Sequence, residues 1–152
     1  MTEGAVRPAR ATDLDGIEEV ERLAFESDVL SRRSLRRFLS VGTTAALVVA
    51  VGADIAGYAM IGFRKGSAAG RVFTLAVRPD AGRRGWGAAL LAACEAEARR
   101  RDAVRVTLEV RADNGPALRL YAAAGYQKSR TFEDYYEDGT AAIRLAKTLT
   151  TA

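Results

Sequence analysis

Residues 72–91 read VFTLAVRPDAGRRGWGAALL, and this stretch decides how the rest of the chain is read. Residues 72–77 form an apolar run of strand length. It stops at Arg78-Pro79-Asp80, where proline ends strand pairing and begins a turn. A basic loop punctuated by glycine follows, Gly82-Arg83-Arg84-Gly85-Trp86-Gly87, and Ala88-Ala89-Leu90-Leu91 opens an alanine-rich helix that reaches about Arg101. Strand, glycine-rich loop and helix start together suit an anion, because free backbone N–H groups and the positive end of the helix dipole converge there. No acidic residue stands between Arg83 and Cys94, although Asp and Glu normally favour a first helical turn. The pattern assigns that negative charge to a ligand; its plainer alternative is a strand-to-helix turn with solvated arginines. Neither the dinucleotide fingerprint G-x-G-x-x-G nor the P-loop is present.

Composition narrows the chemistry. The 152 residues carry a net charge of +4, which suits an anionic ligand and tolerates nucleic acid without demonstrating it. There is no histidine, so a Ser-His-Asp triad, a Cys-His pair and most zinc sites are excluded, and no metal is expected. A general base must then be Glu, Asp, Tyr or a water. The single cysteine, Cys94, cannot form an internal disulfide and points to a reducing, cytoplasmic setting. No signal-peptide core and no apolar run of membrane-spanning length is read.

Outward from the central stretch, residues 5–9 read as a first strand, with Pro8 suiting a sheet edge. Thr12 and Asp15 have capping-box spacing, and Leu14, Ile17, Val20, Ala24 and Phe25 recur helically to about Glu26. Ser31 caps a second helix over 32–40, whose Arg32, Arg33, Arg36 and Arg37 form either a solvated face or a docking surface for an acidic substrate or RNA. Residues 45–51 and 55–63 form an antiparallel hairpin around Gly52-Ala53-Asp54, with bulges expected at Gly57 and Gly62. Residues 64–70 read as a loop, and Cys94 as a small core residue rather than a nucleophile.

Residues 104–111 alternate without a break, placing Val104, Val106, Leu108 and Val110 on one face and Arg105, Thr107, Glu109 and Arg111 on the other. Asp113-Asn114-Gly115-Pro116 is a helix start, and Gly125 is a helix stop. Asn114, Ala117 and Tyr121 share one face of that helix, so Tyr121 looks back toward Glu109.

Two of these stretches carry a resemblance. Arg84-Gly85-Trp86-Gly87-Ala88 resembles the acyl-CoA loop of the GNAT acetyltransferases, Gln/Arg-x-x-Gly-x-Gly/Ala. The motif's Gln/Arg position falls on Gly82, so one pyrophosphate contact is lost or taken over by Arg83 or Arg84. Residues 108–126, LEVRADNGPALRLYAAAGY, are similar to the GNAT pattern L-E-V-R-x-x-N-x-x-A-x-x-L-Y-x-x-x-G-[FY] at every fixed position. The chain most resembles the ribosomal-protein-alanine (RimI-like) and other N-terminal acetyltransferases, and Asp134-Tyr135-Tyr136-Glu137-Asp138-Gly139 resembles that branch's Tyr-Tyr-x-x-Gly hairpin. It departs at Thr140-Ala141-Ala142, where the branch has Glu-Asp-Ala, and at Asp28-Val29-Leu30-Ser31, where the branch has a Pro-Trp-type loop.

The resemblance implies an α/β (α+β) GNAT fold: one domain over 1–152, with a mixed, mostly antiparallel sheet of about seven strands, a central splay and four flanking helices. It implies transfer of an acetyl group from acetyl-CoA to a primary amine, foremost a protein or peptide N-terminal α-amine. The alternatives are a small amine (polyamine, amino acid or aminoglycoside) and an acetyl-CoA-binding sensor or partner module without turnover. Arg83, Arg84, Gly85, Trp86, Gly87 and Ala88 would hold the pyrophosphate. The backbone of Leu75, Ala76 and Val77 would hold the acetyl carbonyl and pantetheine arm. Asn114, Ala117 and Tyr121 complete the cofactor face, although Asn114 also reads as a helix cap alone. Glu109 is the base or ammonium anchor, or simply an ion-pair partner of Arg111. Tyr121 is the acid that protonates the CoA thiolate, or a packed ring. Tyr135 and Tyr136 line the substrate slot, or pack. Expected partners are a peptide or small amine, with no membrane and nucleic acid ranked low; a homodimer is left open.

Overall fold

The computed structural model describes residues 4–25, 29–81 and 85–149. Seven strands form a single sheet: β1 (Gly4–Pro8), β2 (Thr44–Val51), β3 (Asp54–Phe63), β4 (Ala69–Val77), β5 (Arg105–Arg111), β6 (Gln127–Phe132) and β7 (Ala142–Thr148). Their spatial order is β1-β2-β3-β4-β5-β7-β6, and every neighbouring pair is antiparallel except β4 and β5. Pro8 lies in an edge strand, where its missing N–H costs no ladder bond. Four helices flank the sheet: α1 (Leu14–Ala24), α2 (Arg32–Ser40), α3 (Trp86–Arg100) and α4 (Gly115–Ala123). This is the mixed, mostly antiparallel architecture the sequence predicts.

The two faces of the sheet bury different sets of side chains. Leu90, Leu91, Cys94 and Ala98 of α3 pack with Val72, Val106, Leu108 and Val110 on one face, and α4 adds Tyr121. Leu14, Ile17 and Val20 of α1 and Leu35 of α2 pack with Val48, Tyr58 and Met60 on the other. The period-two alternation of β5 makes this division, since successive side chains point to opposite faces.

The central splay has a local cause. β4 pairs with β5 only from Ala69↔Arg105 to Val72↔Leu108. At the next residue the β3–β4 register slips: Ile61 faces Val72 while Met60 faces Thr74, so Phe73 is an extra residue in β4. A bulge bends and twists its strand, and here it carries the end of β4 away from β5 while β5 goes on pairing with β7 as far as Arg111.

Several local expectations are corrected. Thr12 and Asp15 make no capping box. Asp13 turns back instead, accepting the Arg10 N–H at 2.7 Å and the Arg7 guanidinium at 2.8 and 3.0 Å, and Arg7 holds its carboxyl below the usual carboxylate range. Residues Ala11–Asp13 therefore form a tight 3-10 turn, α1 starts at Leu14 and ends at Ala24, and Asp15 is drawn to Arg32 at 2.7 Å. One bulge does lie beside Gly57, where the β2–β3 register skips Ala56, but the other is at Phe73 and not Gly62. β4 starts at Ala69, inside the expected loop, and Val104 is 50% exposed, ahead of the first β5 residue. Cys94 is buried, and burial pushes its thiol up to about 12, away from nucleophile chemistry.

Candidate active site

Where β4 and β5 part, a cavity of about 240 Å³ opens. Phe73, Thr74 and Leu75 line it from β4, and Glu109, Val110 and Arg111 from β5. The β4 edge facing β5 beyond Val72 has no ladder partner among the described residues, so its backbone groups can meet an extended ligand. Asn114, Ala117 and Tyr121 close the cavity from α4 as their shared helical face predicts, with Tyr136 and α1's Glu21 at its walls.

Asn114 caps α4 by accepting the Ala117 N–H at 3.1 Å, Pro116 sits in the first turn, and Gly125 ends the helix region at φ +96°, a value natural only to glycine. These local signals fix where Tyr121 points. The residue is 7% exposed and its ring meets Tyr126 edge-on at 6.0 Å, while its hydroxyl makes no hydrogen bond to a described residue. Burial, aided by the neighbouring Cys94 and Tyr136, pushes the phenol up to about 12, so at neutral pH it is a proton donor.

Glu109 does not pair with Arg111. Its oxygens take Arg71 at 3.2 Å and Arg144 at 2.9 Å, two residues on the strands flanking β5. Arg111 turns instead to Asp113 at 3.1 Å, Asp138 at 2.6 Å and Thr140 at 2.9 Å, and its guanidinium lies 4.9 Å over the Tyr136 ring. That bracing holds the β6–β7 connection over the cavity and keeps the Asp138 carboxyl well below the usual range. Tyr136 thereby lines the cavity. Tyr135 does not: it is 47% exposed and stacks outside on Phe132 and Tyr136.

The start of α3 has the geometry expected of an anion site. Gly85 adopts φ +74°, which strains any other residue, and the first helical bond runs from Ala89 N–H to Gly85 C=O at 3.0 Å. The amides of Trp86, Gly87 and Ala88 thus lie ahead of the ladder, with no side-chain cap and no acidic residue in the first turn. The Trp86 ring packs beside Gly4 of β1, away from the cavity. Gly82, Arg83 and Arg84 lie outside the described residues.

Sequence comparison decides what such a cleft belongs to. The sequence model of the acetyltransferase (GNAT) family matches residues 14–126. The chain belongs to the GNAT acetyltransferase family. It is an acetyl-CoA-dependent N-acetyltransferase. Among its relatives, an N-alpha-acetyltransferase of Sulfurisphaera tokodaii is 32% identical over 95% of this chain and 92% of its own length. An uncharacterized N-acetyltransferase of Methanocaldococcus jannaschii is 32% identical over 93% of this chain and 90% of its own. The crystal structure of the ribosomal-protein-S18-alanine N-acetyltransferase from Escherichia coli superposes with a TM-score of 0.87 at 25% identity, covering 99% of this chain and 96% of that one.

The GNAT cosubstrate fits the residues present. The open β4 edge around Leu75, Ala76 and Val77 offers backbone groups to an extended arm, and the uncapped amides at the start of α3 offer donors to phosphates.

Sequence reasoning missed one polar group at this site. Glu21 is 2% exposed, yet it lines the cavity. One of its oxygens accepts a short hydrogen bond from the Tyr58 hydroxyl, and the other accepts the Leu30 N–H at 2.8 Å. The Tyr58 hydroxyl also lies 3.1 Å from Thr74 Oγ1. No cation pairs with Glu21 among the described residues. A signal was available: Glu21 stands four residues after Ile17 and seven after Leu14, a carboxylate on α1's apolar stripe.

Proposed function

We propose that this GNAT enzyme acetylates the N-terminal α-amine of a peptide or protein, with Glu109 receiving the amine's proton and Tyr121 protonating the departing thiolate. The observation that carries the reading is one cavity at the β4–β5 splay lined by both Glu109 and Tyr121, whose hydroxyl bonds no described residue. The names and the near-complete coverage of the Sulfurisphaera and Escherichia relatives support the acceptor class.

When bound, acetyl-CoA supplies the acetyl thioester. The α-amine is an ammonium below a pKa of about 8 and must lose a proton before its lone pair attacks the acetyl carbon. Glu109 takes that proton through a water, since both its oxygens already accept from arginines. As the C–N bond forms and the C–S bond breaks, Tyr121 gives its hydroxyl proton to the sulfur. Leu75, Ala76 and Val77 hold the acetyl carbonyl and pantetheine arm through backbone groups. Arg83, Arg84 and the amides of Gly85, Trp86, Gly87 and Ala88 hold the pyrophosphate, and Asn114 and Ala117 flank the arm. Tyr136 walls the acceptor slot, with Tyr135 behind it. Glu21, a buried carboxylate without a cation among the described residues, completes the slot as a counter-charge for the acceptor ammonium, because a buried unpaired charge gains most from a partner.

The reading takes residues 1–152 as one domain, supported by the continuous sheet from β1 to β6. It places the enzyme in the cytoplasm, consistent with one buried free cysteine. No described helix is long and apolar enough to cross a membrane.

The test is CoA thiol release from acetyl-CoA across peptides with different first residues, free amino acids, polyamines and aminoglycosides. Turnover confined to peptides is expected. Turnover confined to small amines overturns the acceptor class and leaves the chemistry intact.

A further inference from the structure

Beside the cavity, on the sheet face that α1 and α2 leave uncovered, lies a second groove of about 460 Å³. Four arginines line it: Arg64 from the β3–β4 connection, Arg71 from β4, Arg105 from β5 and Arg144 from β7. No described residue lining it is acidic. One carboxylate reaches two of these cations: Glu109 meets Arg71 at 3.2 Å and Arg144 at 2.9 Å, from the cavity side. Arg64 and Arg105 have no ion pair among the described residues. The groove thus sets four guanidiniums against a single shared carboxylate, in a chain whose whole net charge is +4. Sequence alone hides this cluster, because the four arginines come from separate strands and loops.

The groove joins the active-site cavity directly. Phe73, the bulged residue of β4, lines both, and the Glu109 ion pairs span the boundary. A chain whose amino terminus sits at Glu109 can run its following residues into the groove.

We infer that this groove binds carboxylate side chains a few residues beyond the acetylated amine, so that the enzyme prefers acceptors with an acidic segment after their first residue. This deepens the peptide N-terminal reading and rests on it. Guanidinium groups suit the occupant, since their planar donors match carboxylates two bonds at a time. A single-stranded nucleic acid fits less well, because base stacking needs open aromatic faces. Arg101 covers Phe63 at 4.6 Å, and Phe38 packs on Phe73 at 4.7 Å. Thr43, Thr44 and Thr107 add hydroxyls to the walls, which serve carboxylates equally.

The experiment compares peptides sharing one first residue, with Asp/Glu, Ser/Gly or Lys at positions three to six. Arg64→Glu/Arg105→Glu is assayed beside the unaltered enzyme. The acidic series should show a KM about five- to tenfold below the neutral series with similar kcat, the scale of a few solvent-exposed charge pairs. Raising the salt should shrink the difference, because screening acts within about 8 Å at physiological ionic strength. The double variant should lose or invert the preference while keeping its kcat/KM for the neutral peptide. Turnover of the neutral peptide with equal KM for all three series overturns the groove assignment and leaves the peptide reading standing. Turnover of no peptide overturns both. Inhibition of neutral-peptide turnover by an RNA oligonucleotide, lost in the variant and unmatched by acidic peptides, reassigns the groove to nucleic acid.

Discussion

Two buried glutamates, one on each face of the sheet, are built alike and finished differently. Glu95 of α3 is 6% exposed; it accepts the Tyr126 hydroxyl at 2.8 Å and the Lys147 ammonium at 2.9 Å. Glu21 of α1 is 2% exposed and also accepts a tyrosine hydroxyl, but among the described residues its second oxygen takes only a backbone N–H. Glu95 lies among α3, β7 and Tyr126, where its charge is answered by this chain's own lysine. Glu21 borders the cleft where an ammonium substrate would arrive. A buried carboxylate is costly unless paired, so Glu95 is answered within the fold, while Glu21 is the one of the two that our proposal assigns to an incoming ammonium. The tyrosines follow the same division. Tyr58 and Tyr126 each donate to a glutamate, and their phenols are raised far above the ordinary value by burial and that carboxylate. Tyr121 has no such partner among the described residues and faces the cleft.

Tyr121→Phe should lower kcat by about 10²-fold or more, the scale of one acid–base group, with little change in thermal stability because the lost hydroxyl bonds nothing described. Tyr126→Phe should do the reverse, leaving kcat alone and costing about 1 kcal/mol of stability. Full activity in Tyr121→Phe would make it a packing residue like its neighbour. The pH dependence adds a sign. The Tyr121 phenol, at about 12, sits above its ordinary value of 10. It therefore keeps its proton while the acceptor amine loses one, and kcat/KM should rise through about pH 8 and hold its plateau past pH 10, falling only as the phenol titrates near 12. The same upward shift makes its contribution to stability complete below pH 10 and lost as pH climbs toward 12.

Next in size is the closed pair. Lys147→Met strands the Glu95 carboxylate and should cost about 2–3 kcal/mol in denaturant unfolding, less than a fully enclosed pair because Lys147 is partly exposed. Activity per folded molecule should not change. An unchanged midpoint would show that Glu95 does not need its cation, removing the contrast with Glu21. The smallest effect is expected at the open site. Glu21→Gln keeps the size and one acceptor oxygen for the Leu30 N–H, while its NH2 donates to the Tyr58 hydroxyl in a reversed bond, so the fold should hold while the KM for amine acceptors rises about fivefold, the cost of one charge-assisted contact. Glu95→Gln should leave that KM where it was, and equal KM changes in both variants would place Glu21 with the structural glutamates.

Much of this molecule is legible along the chain because its signals are local. The Ser31 cap, the Asn114-Gly115-Pro116 start and the Gly125 stop depend on residues a few positions apart, and the structure forms each of them. The alternation of residues 106–110 needs only the period of a strand to send Glu109 to one face and Val110 to the other. Even the convergence of Asn114, Ala117 and Tyr121 follows from helical spacing. Where local reading failed, a longer-range partner had intervened. Asp13 was claimed by Arg7, which displaced the expected cap. Arg111 was claimed by Asp138 and Thr140 across the β6–β7 connection, which left Glu109 to Arg71 and Arg144.

The sequence by itself determined the element types, the position of the glycine-rich turn ahead of α3 and the placing of Glu109 and Tyr121 beside one cleft, since periodicity and capping act over one or two turns of chain. Only the tertiary structure decided which cations each carboxylate meets, that Glu21 opens into the cleft while Glu95 is closed by Lys147, and that arginines 64, 71, 105 and 144 share one groove. These depend on sheet order: β5 lies between β4 and β7, and a residue's neighbours across a strand are fixed by topology and register rather than by its place in the chain.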